Sequence, residues 1–215
     1  MNWLVDIMIS SLTFFYSLTN NYGLAIIFLT VTINIALYPL TLSSIVQMSA
    51  MQKIQPKIAE LQKKLKDTPD QMQKELMELY KKEKVNPFGG CLPTLLKIPF
   101  FISLFMALQS EKFGQMIIAK GANANFLWIS NLSKPDPFYI MIVLIGITTY
   151  FMQKTMPASP ESNKMGLNVI MPFFISFISI SFPSGVQLYW VVSNLIAIAQ
   201  QVYILKRKNV SRETF

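Results

Sequence analysis

The sequence predicts an all-α membrane protein: five transmembrane helices, a cytoplasmic helical hairpin between spans one and two, and an N-terminal interfacial helix. Composition points there first. Hydrophobic residues make up 52% of 215 and charged residues 14%, with mean hydropathy +0.40, more apolar matter than one soluble core of this length can hide. The second observation is a series of apolar stretches near the ~20 residues needed to cross hydrocarbon. The third is the confinement of the basic residues to particular loops.

The N-terminal stretch Met1 to Asn21 lacks a basic start and mixes Asp6, Ser10, Ser11, Thr13 and Asn20 among apolar residues. It is therefore expected to be retained rather than cleaved as a signal peptide. Trp3, Leu4, Ile7, Met8, Phe14, Phe15 and Leu18 recur at near-helical spacing, which suits a helix lying in the membrane interface. Residues 1–21 are thus expected as one unit and residues 22–215 as a five-span unit.

The spans are expected over Gly23 to Leu42, Leu92 to Gln109, Phe138 to Met152, Met165 to Phe182 and Gly185 to Leu205, and none contains Asp or Glu. Most of the 19 basic residues fall between Ser43 and Cys91, between Gln153 and Lys164, or in the tail from Lys206. Only Lys112, Lys120 and Lys134 lie between spans two and three. The basic bias then sets the N-terminus outside and the C-terminus in the cytoplasm. Lys97, near the start of span two, is expected to snorkel to the cytoplasmic surface, with projection into the groove as the alternative.

Residues 43–86 are too polar for lipid but helical in composition. Ile54, Ile58, Leu61 and Leu65 form one stripe and Met72, Leu76 and Leu79 another, so two amphipathic arms can close on each other. Thr68, Pro69 and Gln71 read as a capping box at the start of the second arm. Met48, Met51, Met72 and Met77 offer an adaptable thioether surface to a partner helix, packing within the hairpin being the simpler role.

Polar residues recur inside the spans. Thr30, Asn34 and Thr41 share a face of span one, and Gln187, Trp190, Asn194 and Gln201 a face of span five; Ser103 and Gln109 stand on span two. Thr148, Thr149, Ser176, Ser179 and Ser181 add to the set. Such groups serve either as hydrogen-bonded glue between helices or as the lining of a hydrated groove. Among them Thr30, Asn34, Ser103, Gln109, Gln187, Trp190, Asn194 and Gln201 are the candidate groove residues.

With no histidine and a single cysteine, Cys91, neither a metal nor a cofactor is expected. There is no phosphate-cradling glycine loop and no G-x-S-x-G, so an enzyme is not expected. The missing intramembrane carboxylate weakens the reading as an ion-coupled transporter.

Four ordered motifs resemble the YidC family: Tyr38-Pro39-Leu40; Gln55-Pro56-Lys57-Ile58; Asn86-Pro87-Phe88-Gly89-Gly90-Cys91-Leu92-Pro93; and Pro183-Ser184-Gly185 followed by Leu188-Tyr189-Trp190 and Asn194. The resemblance runs from about Tyr22 to Leu205 and is to the Gram-positive-type, five-span members without a large external domain. It implies a membrane protein insertase and chaperone that moves nascent membrane proteins laterally into the lipid bilayer through a hydrophilic groove, without nucleotide hydrolysis. The implied partners are nascent membrane proteins and lipid, with the ribosome and the Sec translocon as further candidates and no small-molecule substrate. A small-solute transporter and a non-inserting assembly factor stay open beside it. The chain departs from the family at Asn34, where members typically carry an arginine, and it lacks their lipid-attachment cysteine.

Overall fold

The computed structural model describes residues 2–66, 68–86, 92–119, 125–155 and 167–213, and these form α1 (Asn2–Thr19), α2 (Tyr22–Ala36), α3 (Tyr38–Lys64), α4 (Pro69–Lys82), α5 (Leu92–Gln109), α6 (Glu111–Ala119), α7 (Ile140–Thr155), α8 (Leu167–Ser179) and α9 (Ser184–Glu213). The described residues hold no strand beyond an isolated Phe126–Ile129 bridge. Residues 87–91, with Cys91 and the heart of the third motif, lie outside the described residues, as does the expected start of span four at Met165.

The helix bearing Gln187 and Asn194 is the hub: α9 packs against α2, α3, α5 and α7, while α8 packs on α7 and α1 packs on both α2 and α5. One core runs through this bundle, with Leu12, Tyr22, Ile26, Leu104, Leu108, Ile145 and Val186 fully buried. Met8, Ile9 and Leu12 of α1 belong to that same core, whereas Trp3, Ile7, Phe14 and Leu18 stay exposed. α1 therefore shares its packing with the rest of the chain while turning a second apolar stripe outward.

Outward apolar stripes recur at helical spacing elsewhere. Leu95, Ile98, Ile102 and Met106 line the outside of α5, Val143, Ile147 and Phe151 that of α7, and Phe173, Phe174 and Phe177 that of α8, all exposed. Contiguous apolar surface of this extent is costly in water and is the expected outer face of a bundle in hydrocarbon.

The structure redraws two boundaries. Span one was expected to run to Leu42, but α2 ends at Leu37, whose backbone N–H still reaches Ile33 O, and α3 restarts at Tyr38 with Pro39 in its first turn. Proline has no N–H to donate and crowds the carbonyl four residues back, so the break falls at the proline rather than where polarity rises. The first hairpin arm thus begins at Tyr38. At the second arm, Thr68 occupies the cap position and Pro69 the first turn, yet the Thr68 side chain makes no capping hydrogen bond; the expected box is not formed.

By length and composition only Ser184–Lys206 suffices alone to cross a membrane among the described residues, and Trp3–Thr19 with Tyr22–Ala36 passes as a pair bent by 119°. Leu95–Gln109, Ile140–Thr155 and Ile170–Ser179 are shorter apolar helices. Prolines account for part of this, since Pro39 cuts α2 short and Pro99 and Pro172 stand inside α5 and α8.

One end of the bundle is capped by the loop around residues 125–139. Asp136, 2% exposed, accepts hydrogen bonds from Trp128 Nε1 at 3.1 Å, Phe138 N at 3.1 Å and Met141 N at 2.7 Å, so it holds the loop and caps α7 at once. The backbone carbonyls of Lys134 and Leu132 accept from Ser184 N (2.8 Å) and Gly185 N (2.9 Å) at the start of α9. A Cβ on Gly185 would stand 2.8 Å from Leu108 Cδ1 and 3.0 Å from Ile26 Cδ1, and one on Gly23 2.2 Å from the Phe126 ring. Helices α2, α5 and α9 therefore converge tightly at this loop-capped end. Helix α6 was not expected; its Phe113 is buried with its ring 5.0 Å from that of Tyr22.

Replacing Asp136 with alanine strands three donors in a buried site and is expected to cost about 2–3 kcal/mol. Thermal unfolding of the purified protein in detergent checks this, with Asp136→Asn expected to fall between alanine and the parent.

Candidate functional site

Seven of the eight candidate groove residues face the interior or its margin. Thr30, Asn34, Ser103, Gln187, Asn194 and Gln201 are buried, and Trp190 is half-buried with its ring 5.2 Å from Phe101. Gln109 is exposed at the end of α5 and stands apart from the set.

Their hydrogen bonds divide them further. Thr30 Oγ1 donates to Ile26 O (2.7 Å) and Ser103 Oγ to Pro99 O (2.7 Å), each one turn back on its own helix. Gln187 Nε2 donates to Ser179 O at 2.7 Å, fastening α9 to the end of α8, while Gln187 Oε1 has no protein partner. Asn194 Nδ2 reaches Thr148 Oγ1 (3.2 Å) and Thr149 Oγ1 (3.1 Å), and Thr155 Oγ1 donates to Gln201 Oε1.

The last two contacts form a seam. Thr148 pairs with Asn194 and Thr155 with Gln201, and both pairs are 46 residues apart in sequence. A constant difference means that α7 and α9 run parallel, and the seven-residue step on each helix matches two turns of a closely packed helix pair. Asn194 and Gln201 thus act as interhelical glue, as Thr148 and Thr149 do.

Asn34 is different. It is 1% exposed; its Nδ2 donates to Thr30 O at 2.8 Å, and its Oδ1 accepts from Lys97 Nζ at 2.8 Å. Lys97 does not snorkel outward as expected but crosses from α5 to α2. The two helices run antiparallel, because Ile26 and Leu108 meet beside Gly185 whereas Asn34 meets Lys97. Asn34 stands about twelve residues along α2 from Tyr22, and Lys97 about twelve along α5 from Gln109, which places both about 18 Å from the loop-capped end. Between those levels α2 and α5 do not form an extended packing pair among the described residues. Both pack on α9, and the Lys97 side chain reaches from one to the other.

Helices α3 and α4 pack through Ile54, Ile58 and Val85, with Met51, Leu76, Leu79 and Tyr80 against them, and Lys57 Nζ donates to Glu83 Oε1 at 2.6 Å. Met51 is part of this packing, Met48 and Met72 are half-buried, and Met77 is exposed. The Lys57 ammonium beside Glu83 holds its carboxyl below the ordinary 4.5. Among the described residues no cluster of His, Cys, Asp and Glu suits a metal ion.

An all-helical bundle with an apolar exterior, buried polar side chains along a seam and a cation reaching from one helix to another defines a helical membrane protein. The family described as 60Kd inner membrane protein matches residues 14–212, and the chain belongs to it. Curated relatives include the "Membrane protein insertase YidC" of Geotalea daltonii, 42% identical over 200 residues, which are 93% of this chain and 36% of that protein. That of Shewanella woodyi is 42% identical over 205 residues, 94% of this chain and 36% of the relative. The chain therefore spans about a third of the length of these relatives. A solved structure, "Active YidC insertase crystal structure with the first transmembrane domain resolved", is similar with a TM-score of 0.72 and 29% identity, covering 92% of this chain and 46% of that one.

Two outcomes follow from the side-chain pairs. In a double-mutant cycle of Asn194→Leu with Thr149→Val, the coupling is expected near 0.6 kcal/mol and below about 1.7, the range for hydrogen bonds between membrane helices; reversible unfolding in bicelles measures it. The lowered Glu83 carboxyl adds stability that is present above the ordinary glutamate value of 4.5 and is lost as pH falls through the lowered one. Spin labels at Gln52 and Glu78 are expected to keep their separation at neutral pH and to move apart in acid well below 4.5, a step that Lys57→Met removes.

Proposed function

We propose that the chain is a membrane protein insertase that moves newly made proteins laterally into the bilayer without hydrolysing nucleotide. The observation that carries this is the gap between α2 and α5. It is tight and apolar where Ile26 and Leu108 meet Gly185, and polar where Lys97 reaches Asn34. Family membership and the insertase names of the relatives support the same reading.

In this reading α2, α5, α7, α8 and α9 are the five spans, with the N-terminus outside and the C-terminus in the cytoplasm. The parallel run of α7 and α9 and the antiparallel run of α2 and α5 support that alternation. Helices α3 and α4 form the cytoplasmic hairpin that receives clients, with Met77 as its accessible thioether, and α1 lies in the outer interface on its exposed stripe. Residues 1–21 and 22–215 remain the proposed units. Nascent membrane proteins and lipid are the partners, and the ribosome and the Sec translocon are further candidates.

The physical task is to carry a hydrophilic client segment past a barrier of about 2.5–3.5 kcal/mol for each charged side chain at the centre of hydrocarbon. Thr30, Asn34 and Gln187 offer partial hydration along the path, while burial of the client's apolar helix in lipid supplies the driving force. Short spans help. Among the described residues helix α8 has 13 residues in helical form, about 20 Å against the ~30 Å hydrocarbon core, and a span of that length thins the bilayer beside it.

A single-span client synthesised in a cell-free system with liposomes holding only this protein tests the proposal. Protease protection of the client's translocated end is expected well above empty liposomes without added nucleotide. Asn34→Leu combined with Gln187→Leu is expected to lower the insertion rate about tenfold, equal to about 1.4 kcal/mol of barrier. Protection no greater than in empty liposomes for several clients refutes autonomous insertion.

A further inference from the structure

We propose that the loop around Asp136 seats the bundle in lipid, with Leu127, Phe138 and Tyr139 inserted into the headgroup region of the leaflet at the loop-capped end. The proposal rests on the reading of α7 as a span, and it adds a membrane contact made by a loop rather than by a helix.

Four described residues other than glycine have positive φ: Asn20 (52°), Lys84 (53°), Leu127 (54°) and Tyr139 (58°). Asparagine enters that region readily, whereas a large apolar side chain is strained there. Leu127 is 73% exposed and Tyr139 58%, so burial within the chain does not offset the strain at either. Phe138 beside them is 65% exposed.

One buried carboxylate holds all three outward. Phe126 N donates to Ile129 O at 2.8 Å and Ile129 N to Phe126 O at 2.9 Å, closing a two-residue turn with Leu127 and Trp128 at its tip. Ile129 is buried, Phe126 packs on Gly23, and Trp128 Nε1 donates to Asp136 Oδ1. On the other side of that carboxylate, Phe138 N donates to Oδ1, and Tyr139 N donates to the Asp136 carbonyl at 3.4 Å. Turning Leu127 or Tyr139 inward would give up this clasp.

Lipid is the occupant because the patch continues a face that hydrocarbon already covers. Tyr139 O accepts from Val143 N at 3.2 Å, which puts Tyr139 in register with α7. Tyr139, Val143, Ile147 and Tyr150 then fall on one outward stripe, all exposed. An aromatic ring with a hydroxyl at the end of such a stripe suits the level of the headgroups. The charge of the loop agrees with this. Its one acidic residue over 125–139 is the buried Asp136, while Lys134 is exposed and can meet lipid phosphate.

The test uses the full chain with Cys91→Ser in vesicles of phosphatidylcholine and phosphatidylglycerol. A nitroxide at Ser130, exposed beside the turn, reports depth as the ratio of its collisions with oxygen to those with a water-soluble nickel chelate. That ratio is expected to exceed the ratio for an aqueous reference label at Glu78 on α4. Combining Leu127→Asn, Phe138→Ser and Tyr139→Asn is expected to bring it down to the Glu78 value, whereas Leu127→Phe keeps it high. In detergent, Leu127→Asn and Tyr139→Asn are each expected to raise the unfolding temperature by about 2–4 °C, because asparagine relieves the backbone strain. A Ser130 ratio equal to that of Glu78 in the parent, or unchanged in the combined variant, overturns the proposal. So does a fall in unfolding temperature for both asparagine variants, which assigns the side chains to packing. A label at Val143 that reads as aqueous in the parent overturns the span reading itself.

Discussion

In hydrocarbon a polar group finds its partner inside the protein or goes without, and the arrangement of this bundle follows from that constraint at α9. This helix packs against four others and carries Gln187, Asn194 and Gln201 at intervals of seven residues. Each of the three must be answered by a different stretch of chain. Ser179 O at the end of α8 answers the first, Thr148 and Thr149 on α7 the second, and Thr155 the third. Apolar packing alone tolerates sliding of one helix past another. Two polar rungs with the same sequence offset do not, because a slip by one residue breaks both. The register of α7 against α9 is thereby fixed, and α8 is tied to the pair through Gln187 and through the close approach of Gly146 to Ser176.

With α9 fixed, the two ends of the bundle become unlike. At the loop-capped end, the first N–H groups of α9 donate to carbonyls of the 131–134 loop, and Asp136 ties that loop to α7. Glycine at 185 lets α2 and α5 approach α9 there. Farther along, among the described residues, Lys97 on α5 reaches Asn34 on α2. The loop-capped end is built from backbone hydrogen bonds and close apolar contacts, and the stretch beyond it carries this polar contact between the two helices.

Much of this was legible in the sequence, and the parts that were not share a cause. Apolar runs and basic loops gave the helical class and the order of the helices, and spacing gave the polar faces of α2 and α9. The hairpin stripe was read correctly at Ile54, Ile58, Leu76 and Leu79, which do pack together. Hydropathy missed the break at Leu37 because Tyr38, Pro39 and Leu40 are apolar enough to extend a span, although Pro39 itself carried the signal. It missed α6 because nine residues with a glycine, between polar neighbours, look like a loop until Phe113 is seen against Tyr22. Lys97 was misread because snorkelling is the default for a lysine near a helix end; its inward course depends on Asn34, 63 residues away. Periodicity within one helix cannot report a pairing between two. The same limit left the choice between glue and groove open for Asn34 and Asn194, which look alike in sequence and differ in their partners.

Glue and groove need not be opposed in a bundle of this kind. Each interhelical hydrogen bond here is worth about 0.6 kcal/mol on the scale measured for membrane helices, small against the apolar burial that accompanies a client helix entering lipid, about 0.8 kcal/mol for each CH₂ group. For an insertase, bonds this weak hold the resting bundle together, yet a client's backbone and side chains can replace them one at a time at little net cost. On the insertase reading, the absence of nucleotide chemistry then has a physical basis: the protein lowers the barrier to the polar part of the client, and the apolar part supplies the free energy. What the protein must avoid is an interior so well satisfied that no client can compete for it. Among the described residues several buried oxygens lack a protein partner, Gln187 Oε1 with them, and Lys97 meets a neutral amide. Gln187 and Lys97 lie on helices that border the gap between α2 and α5.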